Sequence, residues 1–139
     1  MAEGEKLDFE LVSPEKLLVS EEADMVVVPG EEGDFGVLKG HMPMISTLRH
    51  GVIEVYQGQN VDQRIFVAGG FAEVTNARCT VLAEEAIHFS ELSKEFIEER
   101  VRQAEVEHRD AEEHERAVAE DNLATAYSLR DVFEFYADR

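Results

Sequence analysis

A chain of 139 residues with 31 acidic against 13 basic side chains, a net charge of −18, repels phosphate backbones and anionic headgroups, which argues against direct binding of nucleic acid or lipid. Its 44% hydrophobic content separates it from the disordered chains that strong acidity otherwise marks, and its length suffices for a real core. The single cysteine, Cys79, excludes an intrachain disulfide and suits a reducing compartment.

The opening Met1-Ala2-Glu3-Gly4-Glu5 is acidic and has no apolar centre, so neither a secretory signal nor an arginine-rich transit peptide is expected. No apolar run approaches the roughly 20 residues that span a bilayer, and the expected protein is soluble, without direct membrane insertion. From Val28 to Pro43, four glycines and two prolines fall within sixteen positions. No helix-forming run follows them, so they do not read as a phosphate loop, which needs a helix N-terminus behind it. Pro43 and the β-leaning Met44-Ile45-Ser46-Thr47-Leu48 come next, and the glycines are expected to shape tight reversals between short strands. Val52-Ile53-Glu54-Val55-Tyr56 then leads into Gln57-Gly58-Gln59-Asn60, and Arg64-Ile65-Phe66-Val67-Ala68 into Gly69-Gly70. Phe71-Ala72-Glu73-Val74 turns at Thr75-Asn76-Ala77 before Cys79-Thr80-Val81-Leu82-Ala83. Short strands at this spacing predict an all-β sandwich or barrel reaching to about Phe89. Cys79 reads as a buried strand residue rather than a reactive thiol.

The grammar then changes. All nine glycines and all three prolines lie at or before Gly70. From Ser90 the chain reads as helix, with Ser90 as N-cap and Glu91 in the first turn. Leu92, Phe96 and Ala104 fall near one face, flanked by Ile97 and Val101. Leu129, Val132, Phe133 and Tyr136 follow the spacing i, i+3, i+4, i+7, and Leu123, Ala126 and Tyr127 extend that surface backward. The charged stretch from Asp110 to Arg116 contains the reversal. The expected division is a β-sandwich domain over 1–89 and an antiparallel α-helical hairpin domain over 90–139. Two helices of this size make a poor core by themselves, so the hairpin is expected to be a conditional element.

Chemistry-bearing clusters are sparse. His108 and His114 are six apart and so on different helix faces, while His41, His50 and His88 have no carboxylate or cysteine at ligand spacing; no metal site is expected. Ser13, Ser20 and Ser46 lack a nucleophile elbow. The pairs Glu21-Glu22, Glu31-Glu32 and Glu84-Glu85 read as solvated surface, and Lys39-Gly40-His41 as a structural turn. Neither catalysis nor a cofactor is expected of this chain.

The string Gly30-x-x-Gly33-x-x-Gly36-x-x-x-Gly40-His41-x-Pro43 is followed by Gly51, by Ile65-x-x-x-Gly69-Gly70-x-x-Glu73-Val74 and by Val81-Leu82-Ala83. Together with Leu7-x-Phe9-x-Leu11-Val12-Ser13-Pro14 and the tail from Leu123 to Arg130, it resembles the epsilon subunit of the bacterial F-type ATP synthase, the counterpart of mitochondrial delta. The resemblance implies a sandwich of about ten strands followed by the helical hairpin. It also implies a rotor subunit of the central stalk, partnered by the gamma subunit and the c-subunit ring, at the cytoplasmic face of the bacterial inner membrane. Chemistry would then belong to the alpha and beta subunits, which the C-terminal helices reach in some relatives. By position, Gly30, Glu31, Glu32, Gly33 and Asp34 match the family's ring-facing loop, and Ser13, His41, Met42 and Ser46 its gamma-facing positions.

Two departures modify what the resemblance implies. Members that bind ATP carry an apolar residue, Asp, two spacers, Arg and Ala at the start of the first tail helix. Here Leu92-Ser93-Lys94-Glu95-Phe96-Ile97 stands there, with Ser93 for the acid and Phe96 for the arginine. A phenyl ring cannot replace a guanidinium fork on phosphate. The last helix, Asp121 to Arg139, carries a net charge of −2, the wrong sign to latch onto an acidic segment of the catalytic head. Weak or absent ATPase inhibition is expected. The alternative is a free-standing ATP-binding regulatory module that uses the hairpin as a clamp.

Overall fold

The computed structural model describes residues 5–137. Met1–Gly4 of the acidic N-terminus, and Asp138 and Arg139 of the last-helix charge balance, lie outside them. The chain falls into two compact units, Met1–Phe89 and Ser90–Arg139.

The first unit contains β1 (Leu7–Val12), β2 (Leu17–Ala23), β3 (Met25–Gly30), β4 (Gly33–Val37), β5 (Met44–Thr47), β6 (Gly51–Gln57), β7 (Asn60–Val74) and β8 (Arg78–His88). Alternation decides which faces turn inward. In β1, Leu7, Phe9 and Leu11 are fully buried, while Asp8 is exposed and Glu10 partly so, the period-2 pattern of a half-buried strand. β1 pairs antiparallel with β2 and parallel with β8, so the first and last strands of the unit lie side by side.

Among the described residues the sandwich has eight strands, not about ten. The difference has a physical cause at Gly69-Gly70. Before that point β7 pairs with β6; after it, Phe71–Val74 pair with β5. β8 accompanies β7 on both sides, from Ile65↔His88 to Val74↔Cys79. One layer therefore runs β2-β1-β8-β7-β5 and the other β8-β7-β6-β3-β4. Arg64–Ala68 and Phe71–Val74, expected as separate strands, are one strand turning a corner between layers. Between the layers sits a core built from Leu7, Phe9, Val26, Val28, Ile53, Val55, Ile65 and Val81, among others.

The second unit contains α1 (Lys94–Asp110) and α2 (Arg116–Tyr136), with short 3-10 turns at Phe89–Glu91 and Glu113–Glu115. Ser90 lies in the first of these turns and does not cap the helix. The N-cap is Ser93, whose Oγ accepts the Phe96 N–H at 3.1 Å. The packed face carries Ile97, Val101 and Ala104, which are buried, whereas Phe96 is 45% exposed. The reversal between Asp110 and Arg116 is made without glycine. Ala111 and Glu112 adopt extended backbone, and the Glu112 N–H is held by the Glu115 carboxylate at 3.2 Å.

The helices run antiparallel. Tyr127 Oη donates to Glu105 at 2.6 Å, while His108 Nε2 lies 3.9 Å from Glu120. The hydrogen bond to Glu105 holds the Tyr127 hydroxyl above its ordinary pKa, and the Arg130 guanidinium sits 4.8 Å from the ring centroid. Replacing Ser93 with alanine leaves the Phe96 N–H without its acceptor, a loss of about 1 kcal/mol. Hydrogen exchange should accelerate at residues 94–97 and stay unchanged in the sandwich; unaltered exchange at 94–97 would remove the cap from the account.

Candidate functional site

The glycine-rich stretch builds a hairpin. β3 and β4 pair from Val26↔Val37 to Gly30↔Gly33, leaving Glu31 and Glu32 as the two-residue tip. Gly30 is buried where a Cβ would lie 2.8 Å from the Phe35 ring and 2.9 Å from the Gly33 carbonyl oxygen. A side chain at that position would push the tip open. Glu31 and Glu32 are exposed, and neither carboxylate has a partner among the described residues.

Asp34 differs from its neighbours. Arg49, in the link between β5 and β6, places Nη2 at 2.5 Å from Asp34 Oδ1 and donates from Nη1 to the Gly30 carbonyl at 2.7 Å. The sequence reading groups Asp34 with Glu31 and Glu32 as outward charges, yet its charge is met within the chain. Arg49 was not singled out in that reading. Its partners lie 15 and 19 residues away, beyond the reach of any local pattern.

The Glu31 N–H donates to Thr47 O at 2.9 Å, drawing β5 beside the tip. A shallow groove of about 500 Å³ results, lined by Gly30–Phe35 on one side and Met44–Thr47 on the other. Ser46 therefore shares a groove with the acidic loop, and its Oγ donates to Thr47 O at 3.1 Å. His41 anchors the preceding turn: its N–H donates to Leu38 O at 3.0 Å, and Nδ1 lies 2.7 Å from Met42 O. Met42 and Ile45 are 78% and 70% exposed, and Ile45 lines the groove beside the carboxylates.

Ser13 lies in the turn after β1, where its N–H donates to Lys16 O at 2.9 Å. It lines a second groove with Val12, Pro14, Phe71 and Leu82. Phe71 pairs with Thr47 on one side and Leu82 on the other, and Leu82 with Val12. Sequence reading missed Ile45, Phe71 and Leu82 as outward apolar residues. The signal was present for Phe71: once Ala72 and Val74 face the core, alternation sends Phe71 outward with Glu73.

In the hairpin, Ser93 spends its hydroxyl on capping, and the nearby cations are engaged: Lys94 pairs with Glu98 at 3.9 Å and Arg102 with Glu99. Among the described residues no group of three or more His, Cys, Asp or Glu is arranged to hold a metal ion. Among the described residues no helix is long and apolar enough to cross a membrane. Cys79 is fully buried, and desolvation pushes its thiol pKa up to about 12. The folded protein should resist an aromatic disulfide reagent at pH 8 and react fully in denaturant. Rapid reaction while folded would show the strand to be open.

Residues 6–89 match the family model described as ATP synthase, Delta/Epsilon chain, beta-sandwich domain. The chain belongs to this family. The ATP synthase epsilon chain of Rhodospirillum rubrum is 52% identical over 127 residues, covering 91% of this chain and 95% of its own length. That of Rhodospirillum centenum is 51% identical over 142 aligned residues, covering 97% of each. Among solved structures, a chain of the Euglena gracilis mitochondrial ATP synthase (OSCP/F1/c-ring) aligns with a TM-score of 0.73 at 22% identity, covering 94% of this chain and 85% of its own. A central stalk/c-ring chain from Tetrahymena thermophila aligns with a TM-score of 0.60 at 12% identity, covering 91% and 95%. At those identities the structural likeness establishes the fold alone. The relatives carry the rest: this epsilon-family chain is a non-catalytic subunit of the ATP synthase complex.

Proposed function

We propose that the chain is the central-stalk rotor subunit of a proton-translocating ATP synthase, holding gamma and the c ring in register so that torque reaches the catalytic head. In this reading residues 1–89 form a sandwich domain that carries the rotor contacts, and 90–139 a separate hairpin domain. The observation that carries it is near full-length relatedness to epsilon chains at about half identity. The surface chemistry is consistent with it. An acidic tip at Glu31-Glu32, with Gly30, Gly33 and Asp34 shaping it, suits a polar or basic ring loop, while exposed Met42 beside His41 and Ser46 suits an apolar gamma surface. Ser13 supplies a second gamma contact next to Phe71 and Leu82. In this reading the chain is peripheral, at the cytoplasmic face of a bacterial inner membrane.

The hairpin is weakly inhibitory or not at all, because its acidic last helix repels an acidic segment of the head. It does not bind ATP usefully, since Phe96 stands where a phosphate fork is needed and Ser93 is committed to the helix cap. Adding the full chain to membranes stripped of their epsilon chain tests the role. Restored ATP-driven proton pumping and co-purification with gamma and the c ring are expected. A chain that does neither is not this rotor subunit. Calorimetry with ATP tests the regulatory alternative, which tight binding would favour.

A further inference from the structure

Arg49 braces the β3–β4 tip. Arg49 touches the hairpin at three points: its backbone N–H donates to Pro29 O at 3.1 Å, Nη1 to Gly30 O at 2.7 Å and Nη2 to Asp34 Oδ1 at 2.5 Å. The backbone bond sets where the side chain starts, and the fork then spans both arms of the hairpin, Gly30 on β3 and Asp34 on β4. A guanidinium satisfies both acceptors at once, whereas an ammonium is a point charge without that planar fork.

We propose that Arg49 is the positioning residue of the acidic tip. It holds the hairpin so that Glu31 and Glu32 project together, and it cancels Asp34 so that the presented charge is those two carboxylates alone. This inference rests on the proposed ring contact. Both side chains of the pair are well exposed, 44% for Arg49 and 54% for Asp34. Exposed ion pairs contribute little to stability. The value of this one therefore lies in where it puts the tip and what charge the tip shows.

That separation of roles gives the test. Full-length variants are titrated onto the ATP synthase complex depleted of its epsilon chain, with melting temperature measured in parallel. Arg49→Ala should weaken association about tenfold, because it frees both arms of the tip and Glu31 and Glu32 must then be ordered on binding. Arg49→Lys should recover part of the loss, and both variants should melt within about 5 °C of wild type. Wild-type association of Arg49→Ala overturns the proposal, as does weakening that comes with a larger drop in melting temperature. The double variant Glu31→Gln/Glu32→Gln separates the two levels. If it weakens association while Arg49→Ala does not, only the positioning role falls; if neither does, the ring contact falls with it.

Discussion

A Gly70→Ala chain is expected to lose about 4 kcal/mol of sandwich stability, the sum of a backbone term and an overlap term of roughly 1–3 kcal/mol each. Gly70 has φ +105°, a region that side chains with a Cβ rarely adopt. An added Cβ would lie 2.0 Å from the Leu82 carbonyl oxygen and 2.9 Å from Ala83 Cα. Those are backbone atoms of the paired strand, so no rotamer change relieves the overlap. The strand must move, and it is the strand that carries both layers through the corner. Against a typical total of about 5–15 kcal/mol, such a loss lowers the melting temperature by more than about 15 °C or prevents folding. Gly58→Ala is the control: φ is +66° with nothing within 4 Å of the added Cβ, so it should fold and lose only about 1 kcal/mol. Thermal melts of the two variants decide the matter. A Gly70→Ala melt near that of Gly58→Ala would mean that the corner tolerates a side chain.

The second large effect is expected at Leu129. It is fully buried on α2, and the other large aliphatic side chains buried in the hairpin, among the described residues, are Ile97 and Val101. Ala104, Ala119, Thr125 and Ala126 complete the buried face, letting the helices approach closely while supplying little apolar area. Leu→Ala at a buried site costs about 2–5 kcal/mol. The sandwich core has many such residues and could absorb a loss of that size; the hairpin has three. Leu129→Ala should therefore melt α1 and α2 selectively. Helical circular dichroism should fall and amide protection vanish across 97–104 and 119–133, while β1 and β7 keep theirs. Retained protection in those helical segments would show that the hairpin draws its stability from elsewhere.

Local patterns make part of this structure legible in the sequence and hide the rest. The β3–β4 hairpin was legible, because Gly30 and Gly33 flank two acidic residues and turn chemistry is local. The buried character of Cys79 was, because it alternates with the polar Arg78 and Thr80 and shares a strand face with Val81. The helix start was misplaced at Ser90, since Ser90 and Ser93 both satisfy the local capping pattern. The backbone turn at Phe89–Glu91 defers the helix and selects Ser93. Phe96, expected near one face with Leu92 and Ala104, is instead 45% exposed, because the face that packs is the one carrying Ile97 and Val101.

The chain's own order of residues decides that strands and glycine turns precede a glycine-free helical pair, that the net charge is strongly negative, and that an acidic tip follows Pro29. Each of those depends on spacings of a few residues, the range over which periodicity, capping and turn preferences act. Folding decides what those spacings cannot: that β7 and β8 each serve two layers, that Phe71 and Leu82 face outward side by side, and that Arg49 reaches back to Asp34. These depend on which distant segments pair, and pairing is set by burial across the whole sandwich rather than by neighbours along the chain.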